Sequence, residues 1–399
     1  MPGSDLFAGT YARGGAAGAV DAEAWVRAMV NVEVALATAC EDEGLIPPRA
    51  GEAILRAVQE PFDVNAIAAG AGANATPVIP LVDELRRRVA AESPEFVDAV
   101  HFGATSQDIL DTAAMLVAQR ALEPTLTDAR AAVTAAARLA FTHRSTPMLG
   151  RTLLQPALPT SFGLVAAGWL VALERAAVEL KRARDEVLAV QMGGPVGSRA
   201  PQVAVRMAAM LGLAEPVIPW HTDRTRVAQL AAALGGLTGA ASKVARDITL
   251  LAQAEVGEVR ERGEGRGGSS SMAHKRNPVA AVSVLACSKR VPGLVATIFA
   301  AMEQEHQRAA GAWQAEWGTL SELLTLTGSA VAWLADVLAN LGVDTGRMRE
   351  NLAVLAESGV TEAAGIELES QLAGAGELVD RALLESSGEG GRAVTGVTP

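Results

Sequence analysis

Aromatic side chains are scarce in this chain: seven Phe, six Trp and one Tyr, 4% of 399 residues. Half of all residues are nevertheless apolar. The apolar mass is therefore Ala, Leu and Val, which suits helix packed on helix more than a sheet. Strand signals are equally thin, with few alternating β-branched runs and few hairpin dipeptides. Only two cysteines occur, Cys40 and Cys287, both in apolar stretches of helical character. Such usage excludes a disulfide framework and reads as buried free thiols in a reducing cytosol. Positive charge is in deficit: 34 Lys and Arg face 45 Asp and Glu, a net charge of −11. That balance argues against a nucleic-acid footprint and against attraction to an anionic membrane, while leaving room for a locally positive site. The longest apolar run, Phe162 to Leu173, falls short of the ~18 residues that suggest a membrane span, and no basic-then-apolar leader opens the chain. No His/Cys cluster has metal-ligand spacing. The glycines at 193, 194 and 197 do not follow a strand, so they fail as a phosphate loop. Neither metal nor cofactor is expected.

What remains is an all-α chain. Residues 1–108 read as an N-terminal domain of short helices, with Asp21 capping a helix that starts at Ala22 and ends near Gly44. Pro47-Pro48 and the run Thr76 to Pro80 are breaks. Residues 109–341 read as a bundle of long helices. The clearest is marked by Leu230, Leu234, Leu237, Ala241, Val244, Ile248 and Leu251, which keep a 3.5-residue period and predict one buried seam. Others are expected over about 160–190, 278–305 and 317–341. Residues 342–385 form a small C-terminal helical domain, and 386–399, polar and glycine-rich, a disordered tail. Long Ala-rich helices with few aromatics bury poorly alone, so the bundles should associate in a closed homo-oligomer.

Four segments carry chemistry. The first is the run Gly268 to Pro278, with Ser269, Ser270, Ser271, Met272, Ala273, His274, Lys275 and Asn277, after a glycine-rich lead. Glycine leaves the lead free to move, and Pro278 suits the first turn of a new helix. Hydroxyls beside fixed positive charge can move a proton next to a carboxylate and hold the resulting dianion. Lys275, backbone N–H groups and the helix N-terminus after Pro278 are the candidates to stabilise it. The bland alternative is a Gly/Ser linker. The second segment runs from His101 to Thr112; Thr105 and Ser106 sit at a loop-to-helix junction, a ready carboxylate site, or else an ordinary N-cap. The third runs from Gly150 to Thr160, with Thr152 and Gln155 as hydrogen-bonding groups, or else a plain Pro-bounded loop. The fourth runs from Gln304 to Trp317, with His306 and a Trp313/Trp317 pair at helical spacing. His221 reads best as structural.

The first run resembles the GSSxMPxKxNP signature of the fumarase/aspartase superfamily, with Ala273 at the usual proline. The second resembles the superfamily's HxGxTSxD region, and the third its RTHxQPA region. The fourth, together with Gly193 to Gly197 and Pro219 to Arg224, resembles the 3-carboxy-cis,cis-muconate cycloisomerase branch. The resemblance spans nearly the whole chain. It implies long central bundles flanked by two smaller helical domains, a cytoplasmic homotetramer with sites shared between subunits, and no cofactor. It also implies proton transfer α to a carboxylate through an aci-carboxylate intermediate. Ser269, Lys275 and Asn277 would be catalytic. His101, Thr105, Ser106, Thr152, Gln155, Ser270, Met272 and His306 would bind a small tricarboxylate, with no nucleic acid or membrane as partner.

The superfamily's acid histidine position holds Leu153, and the position three residues on holds Pro156. An amine or hydroxide leaving group needs a general acid, worth roughly 10²–10⁴-fold; a carboxylate, of pKa roughly 4, leaves unaided. Its loss therefore favours a lactonising enzyme of protocatechuate breakdown over a lyase acting on adenylosuccinate, argininosuccinate or aspartate. Nitrosuccinate stays open, because nitrite also leaves without an acid, as does a helical scaffold that has lost activity.

Overall fold

The computed structural model describes residues 6–199, 201–263, 267–269, 271–272, 275–357 and 367–389. Two single-turn helices, α1 (Ala8–Tyr11) and α2 (Ala16–Ala19), lead into α3 (Ala22–Asp42), whose first turn is capped by Asp21 accepting from Ala24 N at 2.7 Å. Short helices α4 (Ala50–Ala57), α5 (Val64–Asn74) and α6 (Val78–Glu92) follow. The expected break at 76–80 is shorter than the sequence suggests. Helix α6 begins at Val78, and Pro80 sits in its first turn, where no amide donor is needed.

The long helices are α7 (Ser106–Thr142), α8 (Phe162–Val187), α10 (Thr225–Leu251), α11 (Val279–Ala300) and α12 (Ala312–Ala339); the short α9 (Pro201–Leu211) packs on α3. The seam on α10 is buried throughout, from Leu230 to Leu251. Helix α12 starts five residues before the expected Trp317, at a Gly311 of φ 118°. The expected domain boundary at 108 falls inside the first turn of α7. By length and composition α11 and α12 could each cross a bilayer. Here α12 is largely buried in the bundle, whereas α11 buries one side and exposes Val279, Val282 and Phe299.

Among the described residues, four short strands complete the bundle end. A hairpin of β1 (Pro147–Thr152) and β2 (Gln155–Ser161) fills the segment read as a loop, and β3 (Val259–Glu261) pairs antiparallel with β4 (Leu341–Val343). Helices α13 (Thr345–Glu357) and α14 (Leu368–Glu389) close the chain. The expected tail from 386 is thus helical as far as Glu389; Ser386 is buried and donates to Glu174 at 2.9 Å, which ties this turn to α8. Residues 390–399 lie outside the described residues.

Direction alternates along the bundle, and this positions everything that follows. The starts of α7, α10 and α12 meet at one end, joined by Arg224, with the finish of α8 beside them, where Arg226 donates to Val187 O at 3.2 Å. The finish of α7, the start of α8 and the finish of α12 meet at the other end, where Gly163 N donates to His143 O and Arg138 to Ala339 O. Helix α7 has 37 residues, so the two ends lie about 55 Å apart at a rise of roughly 1.5 Å per residue.

Candidate active site

At the first end, Thr105 is the N-cap of α7 in extended backbone (φ −126°, ψ 158°), and Ser106 opens the helix. Arg308, from the 301–311 connection between α11 and α12, donates to Thr105 Oγ1. The same connection carries His306, exposed and at φ 45°, whose carbonyl accepts from Thr222 Oγ1 at 3.2 Å. One wholly buried cluster braces this end. Arg224 donates to Asp111 Oδ2 at 2.8 Å and Oδ1 at 3.0 Å, and to Glu316 Oε1 at 3.0 Å. Glu316 also accepts from Gln304 Nε2 at 3.0 Å, and Asp111 from Trp313 Nε1 at 2.9 Å. Burial works against the charge on Arg224, but the two carboxylates more than offset it and hold the guanidinium protonated. The connection bearing Arg308 is therefore clamped at its start through Gln304 and at its finish through Trp313 and Glu316. Trp313 and Trp317 also meet edge to face at 4.8 Å, as their spacing suggests. Burial pushes Arg308 down, and the charges of Asp108 and Asp111 oppose that fall.

His101, expected to meet substrate, is committed through Nδ1 to the buried Glu33 at 2.6 Å. Burial lowers its affinity for a proton; the Glu33 carboxylate more than offsets this, so the net shift is upward. The sign of the linkage follows. The pair stabilises the fold fully below about pH 6.5, the ordinary histidine value, and that contribution is lost as pH rises through the elevated folded value. Thermal unfolding checks it: the melting temperature of the native chain should fall relative to that of His101→Asn between about pH 6 and pH 9. A pH-independent difference rejects the ion pair.

At the other end lie Thr152, Gln155, Ser269, Lys275 and Asn277. Thr152 and Gln155 face each other across a two-residue turn formed by Leu153 and Leu154, both at positive φ (50° and 66°) and 96% and 71% exposed. Such a turn favours Asn-Gly, and β-strand sequences without it hide their hairpins. Ser269 Oγ accepts from Met272 N at 3.1 Å and Ser271 N at 3.3 Å, so two amide donors already face the oxygen that would carry charge. Met272 and Lys275 are exposed, and no hydrogen bond joins Lys275 Nζ to Ser269 Oγ. Asn277 donates twice to Gly267 O, from its backbone N at 2.8 Å and from Nδ2 at 3.1 Å, which closes the neck of the segment. The N-terminus of α11 is not available to a substrate dianion, contrary to expectation: Glu261 already accepts from Ala280 N at 3.0 Å and Ala281 N at 2.8 Å. Ser270, Ala273 and His274 lie outside the described residues.

The candidate residues therefore form two groups. His101, Thr105, Ser106 and His306 gather at one end; Thr152, Gln155, Ser269, Met272, Lys275 and Asn277 at the other. Helix α11 alone, 22 residues long, separates Asn277 from the 301–311 connection by about 33 Å. Sequence reasoning missed Arg308 as a site residue, although it stands two residues after His306, and missed the ties of Asp108 to His221, of Asp111 to Arg224 and of Arg224 to Glu316, which span 113, 113 and 92 positions.

Comparison with known proteins adds to this geometry. A family model described as lyase matches residues 16–293. A 3-carboxy-cis,cis-muconate cycloisomerase of Bradyrhizobium diazoefficiens is 45% identical over 342 residues, covering 84% of this chain and 76% of the relative. A nitrosuccinate lyase of Streptomyces davaonensis is 42% identical over 354 residues, covering 84% and 74%. Among solved structures, the 3-carboxy-cis,cis-muconate lactonizing enzyme of Pseudomonas putida superposes with a TM-score of 0.84 at 37% identity, covering 97% of this chain and 89% of that one.

Proposed function

This chain belongs to the lyase family of the fumarase/aspartase superfamily, and from that premise we propose that it is a cycloisomerase converting 3-carboxy-cis,cis-muconate to γ-carboxymuconolactone. The observation that carries the reading is the absence of an acid at the hairpin. Leu153 stands where a lyase of the superfamily keeps its histidine, and the nearest polar groups, Thr152 and Gln155, cannot donate a proton as acids. An internal carboxylate needs none to leave, nor its reverse, addition, any to begin.

The reaction runs as a conjugate addition. A terminal carboxylate oxygen forms a C–O bond to the carbon bearing the 3-carboxyl group. The electron pair of that double bond moves onto the far carboxylate as an aci-dianion. Ser269 delivers a proton to the carbon between them, and its alkoxide rests on the Ser271 and Met272 amides. Lys275 supplies positive charge to the dianion, and Asn277 supplies the Nδ2 hydrogen not used on Gly267. Arg308 and Thr105 hold a substrate carboxylate, with Ser106, His306, Thr152 and Gln155 around the others. No electron leaves the substrate, so no cofactor is called for.

The two groups of residues lie at opposite ends of one chain, so the site is completed by neighbouring copies whose bundles run antiparallel. A homotetramer of that kind, working in the cytosol where Cys40 and Cys287 stay reduced, fits the exposed apolar side of α11. The test is loss of the conjugated-diene absorbance of 3-carboxy-cis,cis-muconate with formation of the lactone. The similarity to a nitrosuccinate lyase favours a second reading, elimination of nitrite to fumarate, which needs no acid either. Fumarate and nitrite release from nitrosuccinate, with the muconate untouched, would select it.

A further inference from the structure

We propose that Asp108 is a positioning residue: its single buried carboxylate gathers three loops and so sets the spacing of Thr105 and Arg308, a role that rests on assigning that pair to a substrate carboxylate. Asp108 is fully buried in the first turn of α7 and accepts five hydrogen bonds. Its Oδ1 takes Gly193 N at 3.0 Å, His221 Nε2 at 2.8 Å and Gln191 Nε2 at 3.4 Å. Its Oδ2 takes Gly194 N at 2.9 Å and Thr105 N at 3.0 Å.

These donors come from separate parts of the chain. Thr105 ends the 101–105 loop. Gly193 and Gly194 form the turn after α8. His221 belongs to the loop before α10, whose Thr222 holds the His306 carbonyl. An ionised carboxylate is all acceptor, which is why one group can organise so many N–H donors. The loops also touch directly. Gly194 has φ +69°, and a Cβ there would lie 2.8 Å from the Gly103 carbonyl oxygen. The Arg199 guanidinium lies over Gly103, where a Cβ would come within 1.3 Å of it. Thr105 is held on one side by Asp108 and meets Arg308 on the other.

An amide at position 108 cannot reproduce this. With its NH₂ at Oδ2 it opposes two backbone donors, Thr105 N and Gly194 N. With its NH₂ at Oδ1 it opposes Gly193 N, which has no other tautomer to adopt. The loops then lose their shared anchor, and an interaction made equally in ground and transition states is lost, which shows in KM.

The experiment compares Asp108→Asn and Gly194→Ala with the native chain, by diene kinetics and by amide hydrogen exchange. Asp108→Asn should raise KM by about tenfold or more while kcat changes by less than about fivefold. Gly194→Ala, which alters no charge, should raise KM in the same direction. The amides of Thr105, Gly193 and Gly194 should exchange about tenfold faster in Asp108→Asn, with the middle of α7 unchanged. Unaltered KM in a folded Asp108→Asn, a fall in kcat alone, or unaltered exchange at those three amides would overturn the proposal. If Asp108→Asn does not fold, KM of Gly194→Ala decides. If the native chain does not consume the diene, the functional reading is what has failed, and the exchange data alone decide the role of Asp108.

Discussion

Ser269→Ala should lower kcat for the diene by about 10³-fold or more and leave KM within a fewfold of the native value. Serine is a poor acid and a poor base unless its oxygen is prepared for charge. Here the preparation is visible: two main-chain N–H groups, from Ser271 and Met272, already point at Oγ. A single donor aimed at a developing oxyanion is worth about 10²–10³-fold in rate. The methyl group of alanine removes both the proton carrier and the acceptor of those donors. Substrate anchoring should survive, because Thr105 and Arg308 belong to the other end of the bundle. Steady-state kinetics at the diene absorbance would measure both constants. A variant that keeps more than about a tenth of the native kcat means another group carries the proton, and the direct search would turn to Lys275.

How far the sequence foretold this arrangement depends on the range of the signal. The α10 seam was legible because each of its seven apolar positions is set by helical period alone, and each is buried. The Asp21 cap and the Trp313/Trp317 contact were legible for the same local reason. The β1–β2 hairpin was not. Its turn is Leu153-Leu154 where Asn-Gly is favoured, and β2 carries Pro156 and Pro159, which lower any strand reading. The 37-residue length of α7 was hidden by Pro124 inside it. The charged cluster around Arg224 left no trace in spacing, since Asp111 and Glu316 are 113 and 92 residues away. The motif resemblance implies sites shared between subunits, but not which motifs sit together; the alternating helix directions place Thr105 with His306 at one end and Thr152 with Ser269 at the other.

That separation yields the second large effect. Ser269→Ala and Arg308→Ala should each be nearly inactive alone, yet unfolding and refolding them together in equal amounts should restore about a quarter of native activity. In an antiparallel pair, each site takes Arg308 from one copy and Ser269 from the other. A mixed pair then has one site with both groups intact and one with neither. Half of randomly formed pairs are mixed, and half the sites in each work, which gives about one quarter. Neither variant should disturb assembly. Ser269 is in a surface segment, and Arg308 is held by one hydrogen bond to Thr105 while the Arg224 cluster still clamps its connection from Gln304 to Glu316. A site built within one chain predicts the opposite, activity no greater than the sum of the two variants. Such a result would remove either Arg308 or the sharing between copies from the reading, whereas complementation is what the 22 residues of α11, about 33 Å between Asn277 and the connection bearing Arg308, lead one to expect.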